Sequence, residues 1–152
     1  MQYNYDFEIA SLLIMMIILL HFIFIRQFPV DKTKVFGMLL LSCTAECFVN
    51  ILSCIGLANV DLVPQIVNEI LAFAFFLLEG LSSYLLFRYF LVICEFKGRA
   101  RKLVGVLGAV SFGIFLVGLI LTPVIGFFYY FVDGVYYQGF GTGFGYVYIV
   151  YY

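Results

Sequence analysis

The sequence predicts an all-α polytopic transmembrane bundle of four complete spans plus the start of a fifth, with a small external β-hairpin. Three observations predict it. The 152 residues are 65% hydrophobic and 11% charged, with a mean hydropathy of +1.13, which is more apolar surface than a soluble fold of this length could hide. The apolar runs are long and are separated by short polar connections. Every Lys and Arg except Arg88 falls in one of two clusters, Arg26 with Lys32 and Lys34, and Lys97 with Arg99, Arg101 and Lys102. Basic residues in short loops stay on the cytoplasmic side during insertion, so the clusters give the bundle a direction. The net charge of −1 adds nothing to this, and no nucleic-acid partner is expected.

Span 1 covers about residues 9–25, an almost unbroken Leu, Ile and Met run that stops at Arg26. The residues before it include Asp6 and Glu8 but no Lys or Arg, so the basic start of a secretory signal peptide is missing and the run is read as a retained span. The connection 26–34 carries Pro29 and three basic residues against Asp31, which places it in the cytoplasm and the N-terminus outside. Span 2, about 35–57, ends at Gly56 before the acidic turn Ala58, Asn59, Val60, Asp61.

Span 3, about 64–94, returns inward from Pro64 through Phe73, Phe75, Phe76, Leu77 and Leu78 to Glu95 and the second basic cluster. From Pro64 to Arg88, at about 1.5 Å per residue, it reaches roughly 37 Å, enough to cross a hydrocarbon core of about 30 Å. Span 4, about 103–128, goes out again. It carries Gly105, Ala109 and Gly113 in one row and Gly118, Thr122 and Gly126 in another, and small residues at that spacing allow close helix approach, although glycine is also simply common in membrane helices. Pro123 is expected to kink its outer end.

After Phe128 the pattern changes to two strand-like runs around Asp133-Gly134, the preferred two-residue hairpin turn, so residues 129–138 are read as an external hairpin with its tyrosines at headgroup level. Gly139, Gly141, Gly143 and Gly145 lack the spacing and the βαβ setting of a dinucleotide fingerprint and read as a flexible aromatic lead into a fifth span at 146–152. That run is too short to cross a bilayer, and the expectation is an N-terminal piece of a longer protein.

Cys43, Cys47, Cys54 and Cys94 all fall in spans, and no pair shows metal-ligand spacing with a His, so neither a disulfide nor zinc is expected. The informative residues are two carboxyls near mid-span, Glu46 and Glu79. At about 100° per residue, Ser42, Cys43, Asn50 and Ser53 fall within roughly 60° of Glu46, while Leu41, Phe48, Ile51 and Ile55 lie opposite. The same construction around Glu79 collects Asn68, Ala72, Ser82 and Ser83, and turns Arg88 about 180° away, to snorkel toward the surface near Glu95. His21 lies close to the inner end of span 1, at the interface. Consecutive spans usually pack as neighbours, so the polar faces of spans 2 and 3 are expected to meet. With no basic residue at that depth, the neutral acids are favoured and would donate hydrogen bonds to Asn50, Ser82 or Ser83. Two readings stay open. Glu46, Asn50, Glu79, Ser82 and Ser83 form a ligand, cation or proton site, or they are interhelical hydrogen bonds that hold the bundle together.

Tyr5-Asp6-Phe7-Glu8, Arg26-Gln27-Phe28-Pro29, Lys34-Val35-Phe36, Asn50-Ile51-Leu52-Ser53 and the run from Tyr130 to Gly139 together resemble the N-terminal multi-span sensor region of membrane-bound diguanylate cyclases (GGDEF proteins) of anaerobic Gram-positive bacteria. Similar regions precede sensor histidine kinases. Asn50 stands where the family look favours Asp. The resemblance implies an odd number of spans, a bacterial cytoplasmic-membrane location with the N-terminus outside, and a cytoplasmic output domain that makes cyclic di-GMP. These residues hold no GGDEF motif, phosphate-binding loop or phosphoacceptor histidine, so no catalytic residue and no cofactor are assigned. The expected partners are the lipid bilayer, an unknown small-molecule or membrane signal, and a second copy in a homodimer through span 4. A different class of function is part of a transporter, with Glu46 and Glu79 carrying protons or cations. A purely structural membrane subunit is a third.

Overall fold

The computed structural model describes residues 6–25, 30–94, 98–132 and 134–143. Four helices follow one another, α1 Asp6–Ile25, α2 Val30–Ala58, α3 Gln65–Ile93 and α4 Gly98–Ile125, and then two strands, β1 Tyr129–Val132 and β2 Val135–Gln138. Each helix is long and apolar enough to cross a membrane. The strands pair antiparallel, with Val132 opposite Val135, the register expected from the sequence. Gly134 takes the left-handed φ of +77° that tight hairpin turns require. Asp133, the basic residues Arg26 and Lys97, Glu95 and the fifth-span run 146–152 lie outside the described residues.

The helix ends differ from the expected spans for local reasons. α2 starts at Val30, so Lys32 and Lys34 belong to its first turns and not to a loop, and α4 takes in Arg99, Arg101 and Lys102 in the same way. α4 runs through Pro123 and stops at Ile125, short of the expected end at 128. Gly126 follows at φ +63°, the left-handed step at which helices commonly end, and its N–H donates to the Thr122 carbonyl at 2.8 Å. At the start of α3, Pro64 precedes the helix with its fixed φ, and no side chain caps it.

Packing is sequential. α2 lies along α3 over the largest contact, α1 packs on α2, and α4 packs on α3. α1 is the most exposed of the four. On α3 the buried residues Asn68, Ala72, Phe76 and Gly80 repeat every fourth position, one continuous face. Two glycines fit α3 to α4 reciprocally. The Phe115 ring of α4 occupies the space a side chain at Gly80 would need, and the Phe87 ring of α3 does the same at Gly108. Within this chain, Gly105 and Gly113 have nothing within 4 Å of where a Cβ would stand.

The core sits at the hairpin end, where Phe76, Phe115, Leu119, Phe128 and Tyr129 close on one another. Phe76 stacks between Phe128 and Tyr129, with ring centroids at 5.5 and 5.7 Å. Tyr129 is therefore a core residue. Its hydroxyl donates to the Glu69 carbonyl at 3.2 Å. Tyr130 and Tyr137 are exposed and stack on each other at 5.4 Å. The glycine-rich segment is also corrected, because it folds back on the α4 exit. Gly139 and Gly141 donate to the carbonyls of Phe128 and Phe127 at 2.8 and 2.7 Å, and the buried Thr142 hydroxyl bonds to the Phe128 and Gly139 carbonyls.

Candidate functional site

Where α2 and α3 cross, the two polar faces meet. Ser82 of α3 is buried, and its hydroxyl donates to Oε2 of Glu46 on α2 at 2.8 Å. The Ser42 Oγ lies 3.0 Å from the same hydroxyl. A serine hydroxyl has one proton, so while Ser82 gives it to Glu46, Ser42 must be the donor to Ser82. The result is a directional chain from Ser42 through Ser82 to Glu46. Opposite stand Leu41, Phe48 and Ile55, all exposed on the outer side of α2, as the helical arithmetic expects.

The other expected members divide. Glu79 is half-buried, and among the described residues its carboxyl receives no hydrogen bond. Ser83 does not turn toward either acid. Its hydroxyl bonds back to the Glu79 main-chain carbonyl at 3.0 Å, within its own helix. Asn50, one turn beyond Glu46 toward the hairpin, does not join the chain and instead lines a cavity.

That cavity, about 170 Å³, lies between α2 and α3 under the hairpin. Asn50, Ser53 and Asn68 supply polar groups, Ala72 and Phe76 an apolar wall, and Phe131 with Tyr136 the roof. Asn68 is almost fully buried and its Nδ2 donates to the Gly56 carbonyl at 3.5 Å. Its Oδ1 lies against the bare Cα of Gly56, and both that oxygen and the Ser53 Oγ are buried without a partner among the described residues. Buried polar atoms left unmatched are rare and costly, so this cavity holds unused hydrogen-bonding capacity. Sequence reasoning placed Asn68 on the correct face, but missed the roof, because nothing in the alternation of the hairpin says which helix it folds over.

Glu8 is a further residue the sequence did not single out. Its Oε2 is buried without a partner among the described residues. Arg88 is exposed, on the side expected, with Nη1 3.3 Å from the Tyr84 hydroxyl. His21 is exposed on α1. Cys43, Cys47 and Cys54 are half-buried and Cys94 is exposed.

Comparison with protein-family models, curated proteins and solved structures finds no match to this chain.

Proposed function

We propose that this chain is the integral-membrane input module of a bacterial signalling protein, multi-pass with its N-terminus outside, which controls a cytoplasmic diguanylate cyclase domain not contained in these residues. The module would bind a small molecule or register the state of the bilayer. One observation carries the reading: polar side chains of α2 and α3 meet beside a cavity of about 170 Å³ that the hairpin roofs. A ligand that satisfies Asn68 and Ser53 would favour one arrangement of α2 against α3 over another, and differential affinity of that kind is what a receptor requires. The sequence resemblance supplies the cyclase, or a histidine kinase in its place, as the output.

A second reading, proton or cation coupling in a transporter, is favoured by the two mid-helix carboxyls, Glu46 on α2 and Glu79 on α3, carried by helices that pack on each other. The two readings separate on one experiment. Cyclic di-GMP is measured in cells that express the full reading frame, with and without Glu46→Gln combined with Glu79→Gln. Loss or locking of the output with normal membrane levels supports the input module. Unchanged cyclic di-GMP together with lost pH-gradient-dependent uptake supports the transporter. Fusions that report the face of the membrane are expected to place Asn59 outside and Lys34 and Lys102 inside, and the reverse assignment would overturn the topology.

A further inference from the structure

At the end of the bundle remote from the hairpin, α3 and α4 together line an open cleft of about 840 Å³. Four cationic side chains line it, Arg88 of α3 and Arg99, Arg101 and Lys102 of α4. Among the described residues none of the four is paired with a carboxylate, and Arg88 reaches only the Tyr84 hydroxyl. Two of them, Arg99 and Arg101, occupy the first turn of α4 and Lys102 follows directly, where the partial positive charge of the helix N-terminus adds to their own. Four like charges around one space repel one another unless an anion sits between them.

The rest of the cleft has different chemistry. Leu91, Val92 and Val106 form an apolar wall, and Gly105 leaves open space where any larger residue would project. Arg88 stands five residues inside the end of α3 at Ile93, about 7.5 Å deeper along the helix. The cations thus begin at the mouth of the cleft and reach down beside a surface suited to hydrocarbon. We propose that this cleft is a binding site for an anionic glycerophospholipid, with the phosphate held by the guanidinium groups and an acyl chain against Leu91, Val92 and Val106. Planar guanidinium groups hold phosphate oxygens in pairs, and basic pockets between membrane helices suit such headgroups. A free phosphate would use the same cations but would leave the apolar wall bare.

The test is native mass spectrometry of the full chain released from micelles with defined lipid, comparing phosphatidylglycerol with phosphatidylcholine. The wild type is expected to retain phosphatidylglycerol selectively. Arg99→Gln with Arg101→Gln should weaken retention by roughly fivefold per charge removed, while Lys34→Gln, exposed at the same end on α2, should not. Gly105→Leu, which fills the cleft without changing charge, should also reduce retention. Equal retention of the two lipids, or equal loss in the Lys34 variant, would overturn the site, since a general surface potential would then account for binding. Displacement of the lipid by inorganic phosphate at equal concentration would assign the cations to a free anion and overturn the lipid. A thermal melt of each variant excludes unfolding as the cause.

Discussion

At the scale of single residues the central contact is the Ser82 hydroxyl, which is shared between Ser42 and Glu46. Removing it leaves two polar groups without a partner at a helix crossing. Ser82→Ala is therefore expected to destabilise the bundle by about 1 kcal/mol, near the upper part of the range for interhelical hydrogen bonds in membranes. Ser83→Ala removes only a bond to its own helix and should stay within about 0.5 kcal/mol of wild type. Unfolding in mixed micelles compares the two, and an equal cost would show that the α2–α3 hydrogen bonds carry no special weight. Tyr129 gives a second test. Burial, with smaller contributions from Glu69 and Tyr136, pushes its hydroxyl up to about 12 from an ordinary value near 10. A phenol whose pKa is raised by docking contributes its full stabilisation below about pH 10. It loses that contribution as pH rises toward 12, because the undocked hairpin ionises first. Tyrosinate absorbance against pH should show one residue titrating late, absent in Tyr129→Phe; a late step that survives the substitution contradicts the assignment.

At the scale of elements, the pairing of α3 with α4 depends on Gly80 and Gly108, each filled by a phenylalanine ring from the opposite helix. Gly80→Ala or Gly108→Ala must displace that ring and is expected to cost about 1–3 kcal/mol, as overpacked sites do. Gly113→Ala, with open space around it, should be neutral or slightly favourable through helix propensity. Melting temperatures of the three variants check this ordering. The sequence carried only part of that distinction. Spacing placed Gly105, Ala109 and Gly113 in a row, but a row of small residues is compatible with close packing and with none. The helices, the hairpin register and its Gly134 turn were legible, because length, hydropathy and the Asp-Gly pair are local signals. The fold-back of Gly139 and Thr142 onto Phe127 and Phe128 was not, because it depends on where α4 ends. Pro123 pointed only to a bend, whereas the termination is set by the left-handed Gly126.

At the scale of the whole molecule, the helices stack in sequence order, and the chemistry is divided between two ends and a middle. The hairpin end is an aromatic core over a small cavity, the opposite end is a cationic cleft, and the polar crossing of α2 with α3 lies between. The expected site was legible as a face but not as a set of bonds. Helical arithmetic brought Glu46 and Ser82 together correctly, yet it could not show that Ser83 bonds its own helix or that Asn50 belongs to the cavity, since both depend on rotamer and crossing depth. The proposed function requires α2 and α3 to meet in the bilayer through these polar faces, and cysteine cross-linking in native membranes tests that most directly. In a chain with its own cysteines replaced by alanine, Ser42→Cys with Ser82→Cys is expected to form a disulfide readily on mild oxidation, because the two hydroxyl oxygens are 3.0 Å apart. Leu41→Cys with Ser82→Cys, on the outward side of α2, should not. A missing Ser42–Ser82 bridge, or one that forms no faster than the Leu41 control, would contradict the polar crossing on which the account is built.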